Sequence, residues 1–419
     1  MKNGLLQIAG LTLAIAGMSL FGGCKDPGSA GSTGSTTGSS TSGSGGTGGT
    51  ASGDTIKIGM VASRNGELRP WGTDCESGGV LAVKLINDAG GIGGKKIELI
   101  VEDSNSKPEE GKSAAAKLAG DGVVAIIGEV ASGITKQMKI VALEKGIPMV
   151  AVGATNPDIT KDGKGLISRV CYTDDLQGPV MAKFAYDRGL RRVAVMTDKK
   201  QPYSTGLTAT FKKKFEELGG KIVADESYQS GDTQFNGQLT RIKGLNPDGI
   251  FMSGYFNEVG PMSRQVRQLG MTADKVTLMG GDGWDSADLI SSGGDAIVGG
   301  FFCNHYNDKE ERPEVKKFLE DYKAANNGNL PGTTMGALGY DATALVLDAI
   351  KRVADSGKEI NSANVAAAIM ETENFHGVSG DITLKGTTGN PAKRALIVEV
   401  KKDGFVFSKE YTPAEVLGQ

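Results

Sequence analysis

The stretch that decides the fold is residues 192–252, RVAVMTDKKQPYSTGLTATFKKKFEELGGKIVADESYQSGDTQFNGQLTRIKGLNPDGIFM. It opens on a short β-branched run, 192–197. A helical pattern follows, with Leu207, Phe211, Phe215 and Leu218 on one face, and Gly219-Gly220 ends it. A second strand is predicted at 222–225. Phe235, Leu239 and Ile242 then repeat the helical spacing, and Asn246-Pro247 leads into a strand at 249–252. Strand–helix–strand units of this kind predict parallel sheets covered by helices on both faces.

The same alternation extends in both directions. Upstream, strands are predicted at 55–61, 96–102, 123–128 and 147–152, with Ala/Leu-rich helical stretches between them. Downstream, Val315, Phe318, Leu319 and Tyr322 mark one helix and 338–353 another. The tail changes to short strands at 381–384, 395–401 and 405–408. About 366 residues follow Gly53, which suits two lobes of roughly 150–200 residues better than one core. With 39% hydrophobic and 23% charged residues, the chain is neither disordered nor a multi-pass membrane protein. Lys+Arg nearly balances Asp+Glu, for a net charge of −3, so no basic excess exists for nucleic acid.

The first fifty residues belong to a different class of sequence. Lys2 and the apolar run 5–21 read as an export signal, and 17 residues are short for a membrane span. Gly22 and Gly23 precede Cys24, which resembles a bacterial lipobox: signal peptide 1–23, then a diacylated Cys24. A plain secretory signal with an incidental Cys is the alternative. Residues 25–53 are almost entirely Gly, Ser and Thr, a flexible tether of about 30 Å r.m.s. span. The GxGxxG pattern at 43–48 lies inside this tether, with no strand before it, and carries no dinucleotide site.

Chemistry of the enzymatic kind is poorly supplied. The only histidines are His305 and His376, and no cysteines have metal spacing. The nearest approach to a P-loop, residues 106–113, lacks its first Gly and reads as a helix start. No GxSxG or HExxH occurs. Beyond Cys24 stand Cys75, Cys171 and Cys303; one disulfide plus one thiol, or three free thiols, are both open.

Several motifs together resemble a known family. These are the Asn-Asp-Ala-Gly-Gly-Ile turn at 87–92, Ile127-Gly128 leading to Ser132 and Thr135, and Gly153-Ala154-Thr155. Arg169, Asp174, Gln177-Gly178, Ser253-Gly254-Tyr255 and the Gly-Tyr-Asp-Ala of 339–342 complete the set. In order and spacing they resemble the type I periplasmic solute-binding proteins of branched-chain amino acid ABC transporters, the leucine/isoleucine/valine-binding protein family. The resemblance spans 54–419. It implies an α/β fold of two doubly wound parallel-sheet lobes, joined by a three-crossing hinge, with a ligand cleft between them. Lobe 1 would comprise 54–173 and 305–378, and lobe 2 would comprise 174–304 and 379–419. In such a fold Cys171 and Cys303 would lie on neighbouring strands about to cross between lobes, and a bridge between them, leaving Cys75 as the spare thiol, is the riskier expectation.

The resemblance also implies roles for particular residues. Ser132 and the Thr155 N–H would hold a ligand carboxylate, while the Thr155 hydroxyl and Gly153 carbonyl, flanking Ala154, would accept from its ammonium. Tyr255 would donate to the carboxylate from the other lobe, and Trp71 would line the side-chain pocket. Asp282, between glycines, is the expected counter-charge for the ammonium, with Asp174 as fallback. Two departures bear on the ligand: Arg64 or Arg69, if turned inward, would favour an acidic group, and Trp284 beside Asp282 would wall the pocket or stack on the ligand. The function implied is a non-enzymatic, cofactor-free, monomeric lipoprotein of the bacterial envelope, facing periplasm or exterior. It would deliver an amino acid to ABC permease subunits. A sensory receptor of the same fold, signalling without transport, is the alternative.

Overall fold

The computed structural model describes residues 55–418. Cys24, the signal segment and the tether lie outside the described residues. Five parallel strands form a first sheet: β1 (Ile56–Ala62), β2 (Ile97–Asp103), β3 (Ile126–Ile127), β4 (Met149–Ala151) and β5 (Ile167–Arg169), in the order β2-β1-β3-β4-β5. Between them run α1 (Arg69–Asp88), α2 (Pro108–Gly120) and α3 (Ser132–Lys145). The expected strand at 123–128 is only β3, two residues long, and β5 was not expected at all. Both are too short to show a period.

After β5 the chain enters a second sheet through α4 (Asp174–Asp187). There follow β6 (Arg192–Asp198), α5 (Pro202–Glu217), β7 (Lys221–Tyr228), α6 (Asn236–Gly244) and β8 (Gly249–Met252). Next come α7 (Phe256–Gln268), β9 (Thr277–Gly280), α8 (Ala287–Gly293) and β10 (Phe301–Asn304). The predicted helix face of the opening stretch is the buried one: Leu207, Phe211 and Phe215 are fully enclosed. Phe211 stacks on Phe251 of β8, with ring centroids 4.0 Å apart.

The chain then returns to the first sheet's side with α9 (Pro313–Ala325), α10 (Met335–Asp355) and α11 (Ser362–Met370). Helices α1 and α10 meet closely because glycines line their seam. A Cβ on Gly78 would stand 2.0 Å from the Gly336 carbonyl oxygen, and one on Gly339 would stand 2.3 Å from that of Cys75. A hairpin of β11 (Phe375–Gly377) and β12 (Gly380–Ile382) is tied to α10, where the Asp341 carboxylate accepts from the Val378 and Ser379 N–H groups. We therefore place the third crossing at 383–394, later than residue 379. Last come β13 (Ala395–Lys401), β14 (Gly404–Tyr411) and α12 (Pro413–Leu417). The second sheet runs β14-β13-β10-β9-β8-β6-β7, antiparallel only at β10-β13-β14. These are the two parallel-sheet lobes and three crossings of the type I binding-protein architecture.

Cys75, Cys171 and Cys303 are all free and buried, so the Cys171–Cys303 bridge does not form. The Cys171 thiol turns instead to the Ala154 carbonyl oxygen at 3.5 Å, within its own lobe.

Candidate ligand-binding site

The carboxyl ends of β1, β3, β4, β6, β8 and β9 converge where the lobes face each other, and open α/β sheets bind ligands at such ends. From the first lobe, β3 feeds α3, whose first residue is Ser132. The buried Glu129 carboxylate fixes this turn: it accepts from the Ser63 hydroxyl (2.5 Å), the Ser104 hydroxyl (3.2 Å) and the Ala131 N–H (2.7 Å). Burial raises the Glu129 pKa, and these donors oppose the shift. The first turn of α3 thereby aims its N–H groups and dipole at the cleft.

A small cavity lies between the lobes. Trp71, Val130 and Met335 supply its apolar wall, and Ser132, Tyr203, Tyr255 and Asp282 its polar one. Tyr203 and Tyr255 stack at 5.3 Å, and Trp71 meets Tyr255 edge-on at 5.1 Å. Burial, then the charge of Asp282, holds the Tyr255 phenol well above its ordinary range, so it stays a neutral O–H donor. That hydroxyl has no protein partner.

The two acids differ in their surroundings. Asp282 Oδ1 accepts from the Gln177 amide (2.8 Å) and Oδ2 from His305 Nε2–H (2.9 Å). The Asp282 N–H donates to Gln177 Oε1 at 3.1 Å, so Gln177 grips this residue twice. A side chain at Gly281 would collide with that amide, its Cβ lying 2.0 Å from Gln177 Oε1. Asp174, by contrast, is fully buried and neither of its oxygens makes a regular hydrogen bond. The Thr155 hydroxyl beside it is likewise unpartnered in regular geometry. Burial, then the charge of Asp282, raises the Asp174 carboxyl well above the usual range, against smaller opposing effects of Thr155 and Arg169. Arg169 is itself committed, donating to the Ala154 and Asn156 carbonyls at 2.6 and 2.9 Å.

Of the residues singled out in the sequence, Trp71, Ser132, Tyr255 and Asp282 thus line one cavity. Thr155 and Asp174 form a buried pair outside its immediate wall. Gly153 backs the wall, where a Cβ would press on Met335 and Val130, and Ala154 is buried. Trp284 does not wall the pocket: its indole folds back over Gly280 and donates to the Met252 carbonyl at 3.0 Å, inside the second lobe. Arg64 and Arg69 do not turn inward. Both are exposed, and Arg64 pairs with Glu76 at 2.8 Å. Sequence reasoning missed Tyr203, Val130, Met335 and His305 as site residues. Tyr203 and His305 each follow the end of a strand of the second sheet, which was the available signal.

Two α/β lobes closed over a small, partly polar cavity at their strand ends, reached by three crossings, define a periplasmic-type solute-binding protein. The periplasmic binding protein family model matches residues 55–404, and the chain belongs to that family. It is 33% identical to the Leu/Ile/Val-binding protein BraC3 of Rhizobium johnstonii, over 85% of this chain and 94% of that one. A leucine-binding protein LivK of Thermotoga maritima superposes with a TM-score of 0.79 at 37% identity, covering 86% of this chain and 99% of that one. The branched-chain amino acid transporter substrate-binding protein LivJ of Streptococcus pneumoniae, solved with isoleucine, gives the same TM-score at 29% identity, over 86% of this chain and all of that one. The role is that of an ABC-transporter substrate-binding protein.

Proposed function

We propose that this chain captures an aliphatic α-amino acid of the branched-chain type and delivers it to an ABC permease. It does so as a monomer, held at the bacterial envelope by a lipidated Cys24, and it performs no catalysis. The ligand carboxylate takes the first-turn N–H groups of α3, the Ser132 hydroxyl and the Tyr255 hydroxyl. Its side chain lies against Trp71, Val130 and Met335. Its ammonium is held by acids from the second lobe, with Asp174 and the Thr155 hydroxyl as the groups that still lack partners and Asp282 beside them.

The observation that carries this reading is the Asp174 carboxylate. A buried carboxylate without hydrogen bonds is costly unless a cation neutralises it, and such orphans mark sites that something else completes. The buried cation nearest in effect, Arg169, donates to the Ala154 and Asn156 carbonyls and not to Asp174, and no Lys or Arg lines the cavity among the described residues, which favours a ligand bringing its own positive charge. The relatives named for leucine, isoleucine and valine support the side-chain class.

A thermal-shift screen of the protein against the aliphatic amino acids, their amides, and simple carboxylic acids tests the proposal. Stabilisation by branched-chain amino acids supports it. Stabilisation by carboxylic acids alone contradicts it.

A further inference from the structure

The closed cleft is fastened by a residue with no place in the ligand shell just described. Asp285 follows β9 in the second lobe and is buried. Its carboxylate oxygen Oδ2 accepts from the Thr334 backbone N–H at 2.7 Å, and the Thr334 hydroxyl stands equally near. That hydroxyl is also 2.9 Å from Asn304 Oδ1, so it donates to one oxygen at a time. Thr334 caps the start of the 21-residue α10 on the first lobe, where the helix dipole favours an anion. The Asp285 backbone carbonyl accepts from Trp71 Nε1–H at 2.6 Å, again across the lobes.

Trp71 therefore does two things at once. One part of its indole lines the ligand cavity, and its N–H reaches over to the opposite lobe. A ligand side chain packed on that ring fixes its orientation, and the fixed N–H is then already aimed at the Asp285 carbonyl. When the lobes part, Asp285, Thr334 and Trp71 all return to water. Their bonds form only on closure, and so act on the closed state alone.

We propose that Asp285 is the closure latch, a positioning residue that couples occupancy of the cavity beside Trp71 to locking of the lobes through Thr334 and Trp71. The proposal rests on the reading of that cavity as the ligand site. A latch acts by slowing ligand release, because opening must break it, while encounter with the open form is unaffected.

The test uses L-leucine as probe on wild type, Asp285→Ala, Thr334→Val and the double variant, by calorimetry and stopped-flow tryptophan fluorescence. The chain's only other tryptophan is Trp284, so the measurements use a Trp284→Phe background and the signal reports Trp71. We expect Asp285→Ala to weaken leucine at least tenfold, the loss falling on the dissociation rate with association unchanged. Thr334→Val should give a smaller loss in the same rate, and the double variant should be no worse than Asp285→Ala because both remove one interaction. Unchanged dissociation in the folded variants overturns the latch. If Asp285→Ala fails to fold, Thr334→Val carries the test alone. If wild type binds no amino acid, the ligand reading fails and the coupling proposed here falls with it, whereas leucine binding with unchanged dissociation in the variants overturns the latch alone.

Discussion

Asp174 and Gln177 stand three residues apart on the first turn of α4, yet the Gln177 amide engages Asp282 through both Nε2–H and Oε1 and also accepts from the Tyr203 hydroxyl at 3.4 Å, while the Asp174 carboxylate has no regular hydrogen bond. One helix turn therefore delivers both a satisfied clamp and an unsatisfied acid to the same buried region. We predict that Asp174→Asn weakens amino-acid binding by at least 30-fold, the equivalent of about 2 kcal/mol, because it removes the counter-charge of a desolvated ammonium. Circular dichroism should show the fold retained. A change under about threefold in a leucine titration would remove Asp174 from the site.

Asp282→Asn should behave differently in one respect. Its neutral amide must place an NH₂ where either Gln177 Nε2–H or His305 Nε2–H now donates. Besides weaker binding, we expect lower stability of the ligand-free protein, by roughly 1–3 kcal/mol for one donor left unpaired. Urea titration of Asp282→Asn against Asp174→Asn checks the contrast.

Glu129 organises the start of α3 without being placed in ligand contact. Glu129→Ala strands the Ala131 N–H and one of the Ser63 and Ser104 hydroxyls, which stand 2.9 Å apart and can pair with each other, and should destabilise the protein by about 2–4 kcal/mol. Leucine affinity should fall as well, since the first turn of α3 loses its tether. A denaturant midpoint equal to wild type would show that Glu129 does not organise this turn.

Glu258 gives a pH dependence with an uncommon sign. Burial pushes its carboxyl from 4.5 up to about 7, only partly opposed by the Gly231 N–H. A folded pKa above the unfolded value means that its favourable contribution is complete below about pH 4.5 and is lost as pH rises through about 7. Glu258→Gln should therefore leave stability near pH 4 unchanged and raise it near pH 8, by roughly 1–3 kcal/mol. Equal effects at both pH values would contradict the assignment.

The proposed lipid anchor makes a separate prediction. Cys24→Ala should leave leucine binding intact and move the protein from the membrane fraction to the soluble one, since an acylated Cys supplies the burial that holds it there. Cell fractionation with retained membrane association would count against acylation.

The long amphipathic helices and the β-branched strands were readable because each repeats its period several times, as Leu207, Phe211 and Phe215 do. Strands β3 and β5, two and three residues long, carry no period to read. Ser132, Tyr255, Asp282 and Trp71 were named through the family resemblance, and the structure sets all four along one cavity. What was not legible was the partnering. Gln177 and His305 reach Asp282 across 105 and 23 residues, and nothing local to Asp282 reveals that its oxygens are engaged. Trp284 was misjudged for a related reason: the missing Cβ at Gly280 lets the indole fold back onto the sheet, away from the cleft.

The central claim is that two buried acids select a ligand carrying its own cation. The most direct measurement is calorimetric titration of L-leucine beside 4-methylpentanoic acid, the same molecule without its amine, at pH 7. We predict that leucine binds and that the desamino acid binds at least 30-fold more weakly. Equal affinities for the two, or binding of the desamino acid alone, would contradict the claim.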